Sequence, residues 1–364
     1  MKTKALVITL IAAGIFCGRI SAQNADATKY VDAKGLTIIG KIMPTENVYH
    51  RVDTVYYKGF NQTENFQVRC GSGLAVLFKT NSTSIKVLAE YGEARRSTVT
   101  SDLAQLGFDL YMKKDGRWMF AASGVRATLN DGSPINMISD MDGREKECML
   151  YLPMYSEILK LDIGIDSGAE ISPMPSPFRH RIALYGSSYT QGACISRAGM
   201  SYPMQFVRNT GIQLLSLGCG GSCKMQDQFT RVLRDCEVDA MVFDCFSNPN
   251  ADLIHKRTKD FVRKIRETHP GTPLVFISSV YRENRNFSLK NEAYERAKME
   301  AAREEMAEIT KADKNVYFID IKELTGNDHE TSVDGVHPSD LGYQRWAKAI
   351  EKPLLKILRK YGIK

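Results

Sequence analysis

Two hydrophobic rhythms divide the chain. Between residues 36 and 163 the apolar positions fall in short runs rich in β-branched and aromatic residues, at Leu36 to Lys41, Asn65 to Cys70, Leu74 to Asn81, Ser84 to Tyr91, Phe108 to Met112, Arg117 to Ala122, Glu147 to Leu152 and Ile158 to Ile163. Turn signals such as Lys114 to Gly116 (KDG) and Asn130 to Ser133 (NDGS) separate them, because Asn, Asp and Gly accept the dihedral angles of tight turns. The alternation in Ser84 to Tyr91 (SIKVLAEY) marks a strand with one buried face. The series predicts an antiparallel β-sandwich over residues 28–171.

Downstream the apolar runs are continuous and spaced by amphipathic stretches. Ile182 to Tyr185, Ile212 to Leu217, Ala240 to Cys245, Pro273 to Ser278 and Val316 to Ile321 read as buried strands, with helices predicted near 201–209, 223–235, 252–268, 287–312 and from Ser339 to about Tyr361. Such alternation predicts a doubly wound α/β parallel sheet over 179–364. Between the halves, Ser172 to Pro177 (SPMPSP) carries three prolines in six residues, which prevents a helix and predicts an extended connector over 172–178.

Composition narrows the function classes. With 364 residues, 43% hydrophobic and 25% charged, the chain is neither low-complexity nor a small disulfide scaffold. Its first residues (MKTK), the apolar run Ala5 to Phe16 and Ser21-Ala22 before Gln23 form the pattern of a secretory signal peptide over 1–22. The expected mature protein is exported, periplasmic or extracellular. The rival, a lipoprotein acylated at Cys17, needs a small residue where Phe16 stands. Loss of Lys2, Lys4 and Arg19 with the leader lowers the formal charge from +7 to +4, and no run of five like charges occurs. Nucleic-acid binding is not expected. No later segment has the roughly 18–20 apolar residues of a spanning helix, so no stable membrane insertion is expected. The mature chain keeps seven cysteines, an odd number, with Cys219 and Cys223 lacking a second pair or a nearby His at ligand spacing. No metal and no cofactor are expected.

Ligands of doubly wound sheets bind beyond the carboxyl ends of the strands, so the loops there are the place to look for chemistry. Gly186 to Gly192 (GSSYTQG) follows the first strand and sets Ser188 between strand and helix, where a hydroxyl can be held for attack. Leu217 to Ser222 (LGCGGS) follows the second, and its glycines let backbone N–H groups approach an anion. It is no phosphate loop, because Lys224 is neither preceded by Gly nor followed by Ser or Thr. Asn248 follows the third strand and can donate its side-chain amide to the same anion. Asp334 and His337 lie three residues apart just before the last helix, a spacing that lets a carboxylate orient an imidazole.

In this order the loops resemble the blocks of the SGNH (GDSL-type) hydrolase family over roughly residues 180–360, with the β-rich 28–171 region similar to an N-terminal sandwich of secreted bacterial members. The run Tyr185 to Met200 (YGSSYTQGACISRAGM) is similar to a subgroup whose first block lacks the usual Asp. The resemblance implies a flavodoxin-like α/β domain behind a jelly-roll-like sandwich. It implies Ser188 as nucleophile, Asp334 and His337 as its partners, and an oxyanion hole from Ser188, Gly221 and Asn248. Ser187 stands where most members carry Asp, which predicts a weaker brace for the first loop. Asn248 sits in FSNP (Phe246 to Pro249) instead of the usual Gly-x-Asn-Asp.

The expected activity is therefore a serine esterase that removes short acyl groups, acetyl first, from an acylated polysaccharide or oligosaccharide outside the cell. A lipid-ester or thioester hydrolase is the enzymatic alternative, and a catalytically decayed carbohydrate-binding protein the other. Arg197 and Arg282, on loops after the first and fourth strands, are candidate contacts to sugar hydroxyls or an acidic glycan.

Overall fold

The computed structural model describes residues 27–364, and the leader expected over 1–22, Cys17 included, lies outside the described residues. The first half runs β1 (Thr28–Asp32), β2 (Thr37–Ile39), α1 (Gln62–Arg69), β3 (Ala75–Thr80), β4 (Ile85–Ala94), α2 (Asp102–Gln105), β5 (Phe108–Lys114), β6 (Arg117–Gly124), β7 (Ile135–Ile138), β8 (Lys146–Tyr151), β9 (Ser156–Asp166) and β10 (Ile171–Pro173). These strands form two sheets, ordered β1-β9-β4-β7 and β10-β3-β8-β5-β6 with β2 on β3. Every pairing is antiparallel.

Burial explains the two strand patterns. In β4 the alternating Ile85, Val87, Ala89 and Tyr91 are buried between the sheets. In β3 and in Cys148 to Tyr151 of β8 nearly every residue is buried, with Val76, Phe78, Cys148 and Leu150 facing the other sheet and Ala75, Leu77, Met149 and Tyr151 facing the second half of the chain. Continuous apolar runs belong to strands covered on both sides. The larger sheet is thus the middle layer of the molecule.

One expected strand is a helix. Asn65 to Cys70 alternates in hydrophobicity, yet it lies in α1, because Asn61 and Glu64 form a capping box: the Asn61 side chain accepts from Glu64 N (2.9 Å) and Glu64 accepts from Asn61 N (3.0 Å). The strands β1, β7 and β10 were not expected from the pattern, being three to five residues long. The run of prolines starts inside β10, where Pro173 is tolerated because this strand lies at the sheet edge.

The second half runs β11 (Ile182–Gly186), α3 (Ser188–Gln191), α4 (Tyr202–Thr210), β12 (Leu214–Gly218), α5 (Asp227–Asp235), β13 (Ala240–Asp244), α6 (Ala251–Arg266), β14 (Leu274–Ile277), α7 (Leu289–Ala312), β15 (Val316–Ile319) and α8 (Asp340–Arg359). The strands pair in parallel in the order β12-β11-β13-β14-β15, which is the flavodoxin-like 2-1-3-4-5. Phe206 of α4 and Trp346 of α8 pack with Ile182 and Leu184 on one face. Phe229 of α5, Phe261 of α6 and Met306 of α7 pack with Tyr185 and Phe243 on the other. The sheet order reverses at β11, so the loops after β11, β12 and β13 open onto one crevice.

Candidate active site

The floor of the crevice depends on two glycines. A Cβ on Gly186 would lie 1.9 Å from Thr190 Oγ1, and one on Gly218 2.3 Å from Gln191 N, so α3 can settle on the strand ends only where no side chain intervenes. Ser187 caps α3 by accepting from Tyr189 N (3.2 Å), and Ser188 follows as the first helical residue.

Across the crevice, the turn before α8 is closed by Val333 N donating to His337 O (2.9 Å). Within it Asp334 Oδ1 accepts from Val336 N (2.9 Å) and His337 N (2.7 Å), which aims Oδ2 at the ring Nδ1 of His337 (2.8 Å). The other ring nitrogen, Nε2, lies 2.9 Å from Ser188 Oγ. Partial burial pushes the Asp334 carboxyl up, but the bonds from the His337 ring and from two backbone N–H groups outweigh it and hold the carboxyl below its ordinary range. The ionised carboxylate accepts Nδ1–H, which leaves Nε2 as the acceptor for the serine hydroxyl. The structure therefore brings Ser188, His337 and Asp334 into one hydrogen-bonded line.

The glycine loop closes over this line, since a Cβ on Gly220 would lie 3.4 Å from that of Ser188. Gly220 N donates to Gln191 Oε1 (2.8 Å), and Gly220 O accepts from Gln67 Nε2 of α1 (2.9 Å). Gly221, at φ +70°, turns the chain at the rim. Asn248 Oδ1 accepts from Cys223 N (3.2 Å), which ties Asn248 to the same loop and turns its amide NH2 away from that bond. Arg51, fully buried, reaches from the first half to donate to Cys70 O and Gln67 O and to Ser216 O and Gly218 O of β12.

The weaker brace expected at Ser187 is not what the structure has. The carboxylate comes from the neighbouring strand: Asp244, at the end of β13, accepts from Ser187 Oγ (3.2 Å) and Thr190 Oγ1 (2.9 Å). Burial raises the Asp244 carboxyl from 3.8 to about 6, against the opposing pull of the Thr190, Ser187 and Ser247 hydroxyls. A carboxyl raised in the fold binds its proton more tightly there than in the unfolded chain, so its contribution falls as pH rises from 3.8 to about 6. We expect the stability of Asp244→Asn relative to wild type to increase by roughly 2–3 kcal/mol across that window. Urea unfolding at pH 4 and pH 7 checks this, and an unchanged difference would refute it.

The two arginines expected as sugar contacts are engaged by partners within the protein. Arg197 Nη1 donates to both oxygens of buried Asp109 (3.1 and 2.9 Å) and to Tyr111 Oη (2.6 Å), with its guanidinium 3.9 Å from the Phe120 ring centroid. It joins the middle sheet to the loop after α3. Arg282, its side chain 15% exposed, lies behind the crevice and donates to Tyr189, Glu295 and Ser247.

The pattern also passed over Asp244, Gln191, Gln67, Arg51 and Cys194. A carboxylate ending the apolar run Ala240 to Phe243 was a usable signal for Asp244, and the Asn61/Glu64 spacing was one for α1. Arg51 had none. Cys194 places Sγ 3.9 Å from Asp334 Oδ2, and burial, then the Asp334 charge, push its thiol up to about 12. Among the described residues Cys194, Asp334 and His337 are the one grouping of three potential metal donors, within 4.8 Å of one another. Two of these donors already bond each other. All seven described cysteines are buried and unpaired. No helix among the described residues is long and apolar enough to cross a membrane.

Comparison with known proteins agrees with this fold. Residues 179–355 match the GDSL-like lipase/acylhydrolase family model, and residues 28–171 match the model for the N-terminus of SGNH-hydrolase-type esterases. The crystal structure of a Bacteroides ovatus ATCC 8483 protein described as a GDSL-like lipase is 38% identical, with a TM-score of 0.88 over 92% of this chain and 98% of its own. The chain belongs to the GDSL-like lipase/acylhydrolase family. This GDSL-like protein also shares its fold with the salicylyl-acyltransferase SsfX3 of a tetracycline biosynthetic pathway (21% identity, TM-score 0.72, 92% of this chain and 99% of that one). A family two carbohydrate esterase from Cellvibrio japonicus is similar at 11% identity and TM-score 0.60, over 92% of this chain and 98% of that one. At these identities the last two likenesses speak for the fold alone. No curated protein matches the chain.

Proposed function

We propose that this GDSL-like protein is an exported serine esterase that removes short acyl groups, acetyl above all, from an extracellular polysaccharide or oligosaccharide. The observation that carries the reaction type is the line Ser188 Oγ to His337 Nε2 (2.9 Å) and His337 Nδ1 to Asp334 Oδ2 (2.8 Å). As Ser188 Oγ bonds to the ester carbonyl carbon, its proton passes to His337 Nε2 and the carbonyl electron pair moves onto oxygen. The N–H groups of Ser188 and Gly221 and the amide of Asn248 hold that oxyanion. Collapse breaks the ester C–O bond, and the leaving alcohol takes the proton from His337. Water then attacks the acyl-enzyme by the same path and frees the acid and Ser188. Asp334 stays ionised throughout and stabilises the imidazolium.

The substrate half rests on the surroundings of the glycine loop. An open groove of about 590 Å³ runs between α1 and this loop, lined by Asn61, Thr63, Glu64, Gly221, Ser222 and Lys224. Such a lining suits hydroxyl-rich sugar rather than a long acyl chain, which needs apolar walls. The signal-peptide pattern of residues 1–22 supports export.

Rates on p-nitrophenyl acetate, butyrate and octanoate test the reading, together with acetate release from acetylated oligosaccharides. We expect acetate to exceed octanoate by about tenfold or more in kcat/KM, with acetate released from the glycan. A preference for octanoate would overturn the short-acyl assignment. No turnover and no adduct with a serine-reactive phosphonate would overturn catalysis itself.

A further inference from the structure

Each of the residues Ser188, Asn248 and His337 has a chain neighbour whose polar group points away from the crevice, and the three groups meet behind it. Tyr189, next to Ser188, donates its hydroxyl to Val336 O (3.1 Å), the carbonyl preceding His337. The same hydroxyl accepts from Arg282 Nε (2.8 Å). Ser247 O, preceding Asn248, accepts from Arg282 Nη2 (2.8 Å). The third guanidinium nitrogen, Nη1, donates to Glu295 Oε1 of α7 (2.7 Å).

This guanidinium is itself held. Lys298 of α7, 1% exposed at its side chain, donates to Ser247 O (2.8 Å) and to both oxygens of Glu295 (3.1 and 3.0 Å). The Arg282 loop also supports the acid turn directly, with Asn284 N donating to Gly335 O (2.8 Å). The Tyr189 ring centroid lies 5.4 Å from that of His337 and 5.6 Å from that of Trp346. Buried ions cost several kcal/mol to desolvate, so a cluster of two cations and a carboxylate is a poor way merely to fill space.

We propose that Arg282, braced by Glu295 and Lys298, is a positioning residue that sets the loops of Ser188, Asn248 and His337 relative to one another through Tyr189 and Ser247. The inference rests on the esterase reading above. A planar fork holds its donors in fixed, separated directions and can reach acceptors on three different elements at once, whereas lysine keeps the charge but gathers its donors at a single nitrogen. Charge alone is therefore insufficient, and the role shows in turnover more than in binding, because misplacing reacting groups by about 1 Å can cost about 10²-fold.

The test is p-nitrophenyl acetate hydrolysis by wild type, Arg282→Lys, Tyr189→Phe and the double variant, with thermal unfolding to establish folding. Arg282→Lys is expected to lower kcat about 10²-fold, and Tyr189→Phe about tenfold, with KM within about threefold of wild type. The double variant should fall little below Arg282→Lys, because both changes cut one path. A kcat for Arg282→Lys within threefold of wild type, a loss confined to KM, or additive losses would overturn the proposal. Tyr189→Phe removes one oxygen and keeps the ring, so it decides the matter if Arg282→Lys does not fold.

A second readout is independent of activity. In the Ser188→Ala background, the low-field proton resonance of His337 Nδ1–H, identified by its loss in His337→Asn, should shift or broaden when Arg282→Lys or Tyr189→Phe is added. An unchanged resonance would overturn the positioning role. A wild type that neither hydrolyses esters nor takes the phosphonate would instead overturn the esterase reading, with the resonance still deciding the role of Arg282.

Discussion

Ser188→Ala is expected to lower kcat on p-nitrophenyl acetate by about 10⁴–10⁶-fold, with a fold and unfolding midpoint close to wild type. The hydroxyl is the group proposed to form the acyl-enzyme, and its loss leaves His337 Nε2 an acceptor with nothing to deprotonate but water. Asn248→Ala should cost less, about 10²–10³-fold, because it removes one of the three proposed oxyanion donors and leaves covalent chemistry intact. Rates must be corrected for spontaneous hydrolysis, and phosphonate labelling read by mass spectrometry supplies a second measure. Ser188→Ala with wild-type turnover, or a phosphonate adduct that persists in it, would remove Ser188 from the mechanism. A larger loss in Asn248→Ala than in Ser188→Ala would reverse the two roles.

Arg51→Met is expected to lower the free energy of unfolding by about 3–5 kcal/mol and to reduce activity as well. The Arg51 side chain is fully buried, and its donors satisfy four backbone carbonyls, of Gln67, Cys70, Ser216 and Gly218. Methionine fills much of the volume but withdraws these donors; Gln67 O keeps its bond from Cys70 N (3.1 Å), and each buried polar group left unpaired costs about 1–3 kcal/mol. Two of the carbonyls belong to β12, whose end carries the glycine loop above Ser188. The loosening therefore reaches the oxyanion side of the crevice. Urea unfolding followed by fluorescence of Trp118 and Trp346, one in each half of the chain, measures the stability. A loss below about 1 kcal/mol would show that water replaces the guanidinium at little cost and would refute this account.

Much of the crevice was legible because its parts are local. Asp334 and His337 are three residues apart, and their geometry comes from a turn whose backbone N–H groups grip the same carboxylate. Ser188 follows directly on a strand of buried apolar residues, so its place at the sheet edge is a consequence of strand length. The same locality misled at Asn65 to Cys70, where alternation imitates a strand over six residues while the capping box four residues earlier commits the segment to a helix. Short windows cannot separate the two periods, and only the cap decides.

The sequence by itself determined the order of the strands and longer helices in the second half, the alternation of faces in β4, and the succession Ser188, Gly221, Asn248, Asp334 and His337 along the loops. Each is encoded within about one element's length, by side-chain periodicity or by turn chemistry. Tertiary structure alone decided which partners those residues acquired. Asp244 meets Ser187 across 57 positions, Arg282 meets Tyr189 across 93, and Arg51 meets Gly218 across 167. It also decided that the β3–β8 sheet is covered on both faces, which drew Arg197 into an ion pair with Asp109 instead of leaving it to solvent. Hydrophobic burial specifies that a face is covered but is non-directional. The choice of a hydrogen-bond partner depends on the angle and distance at which packed layers finally meet.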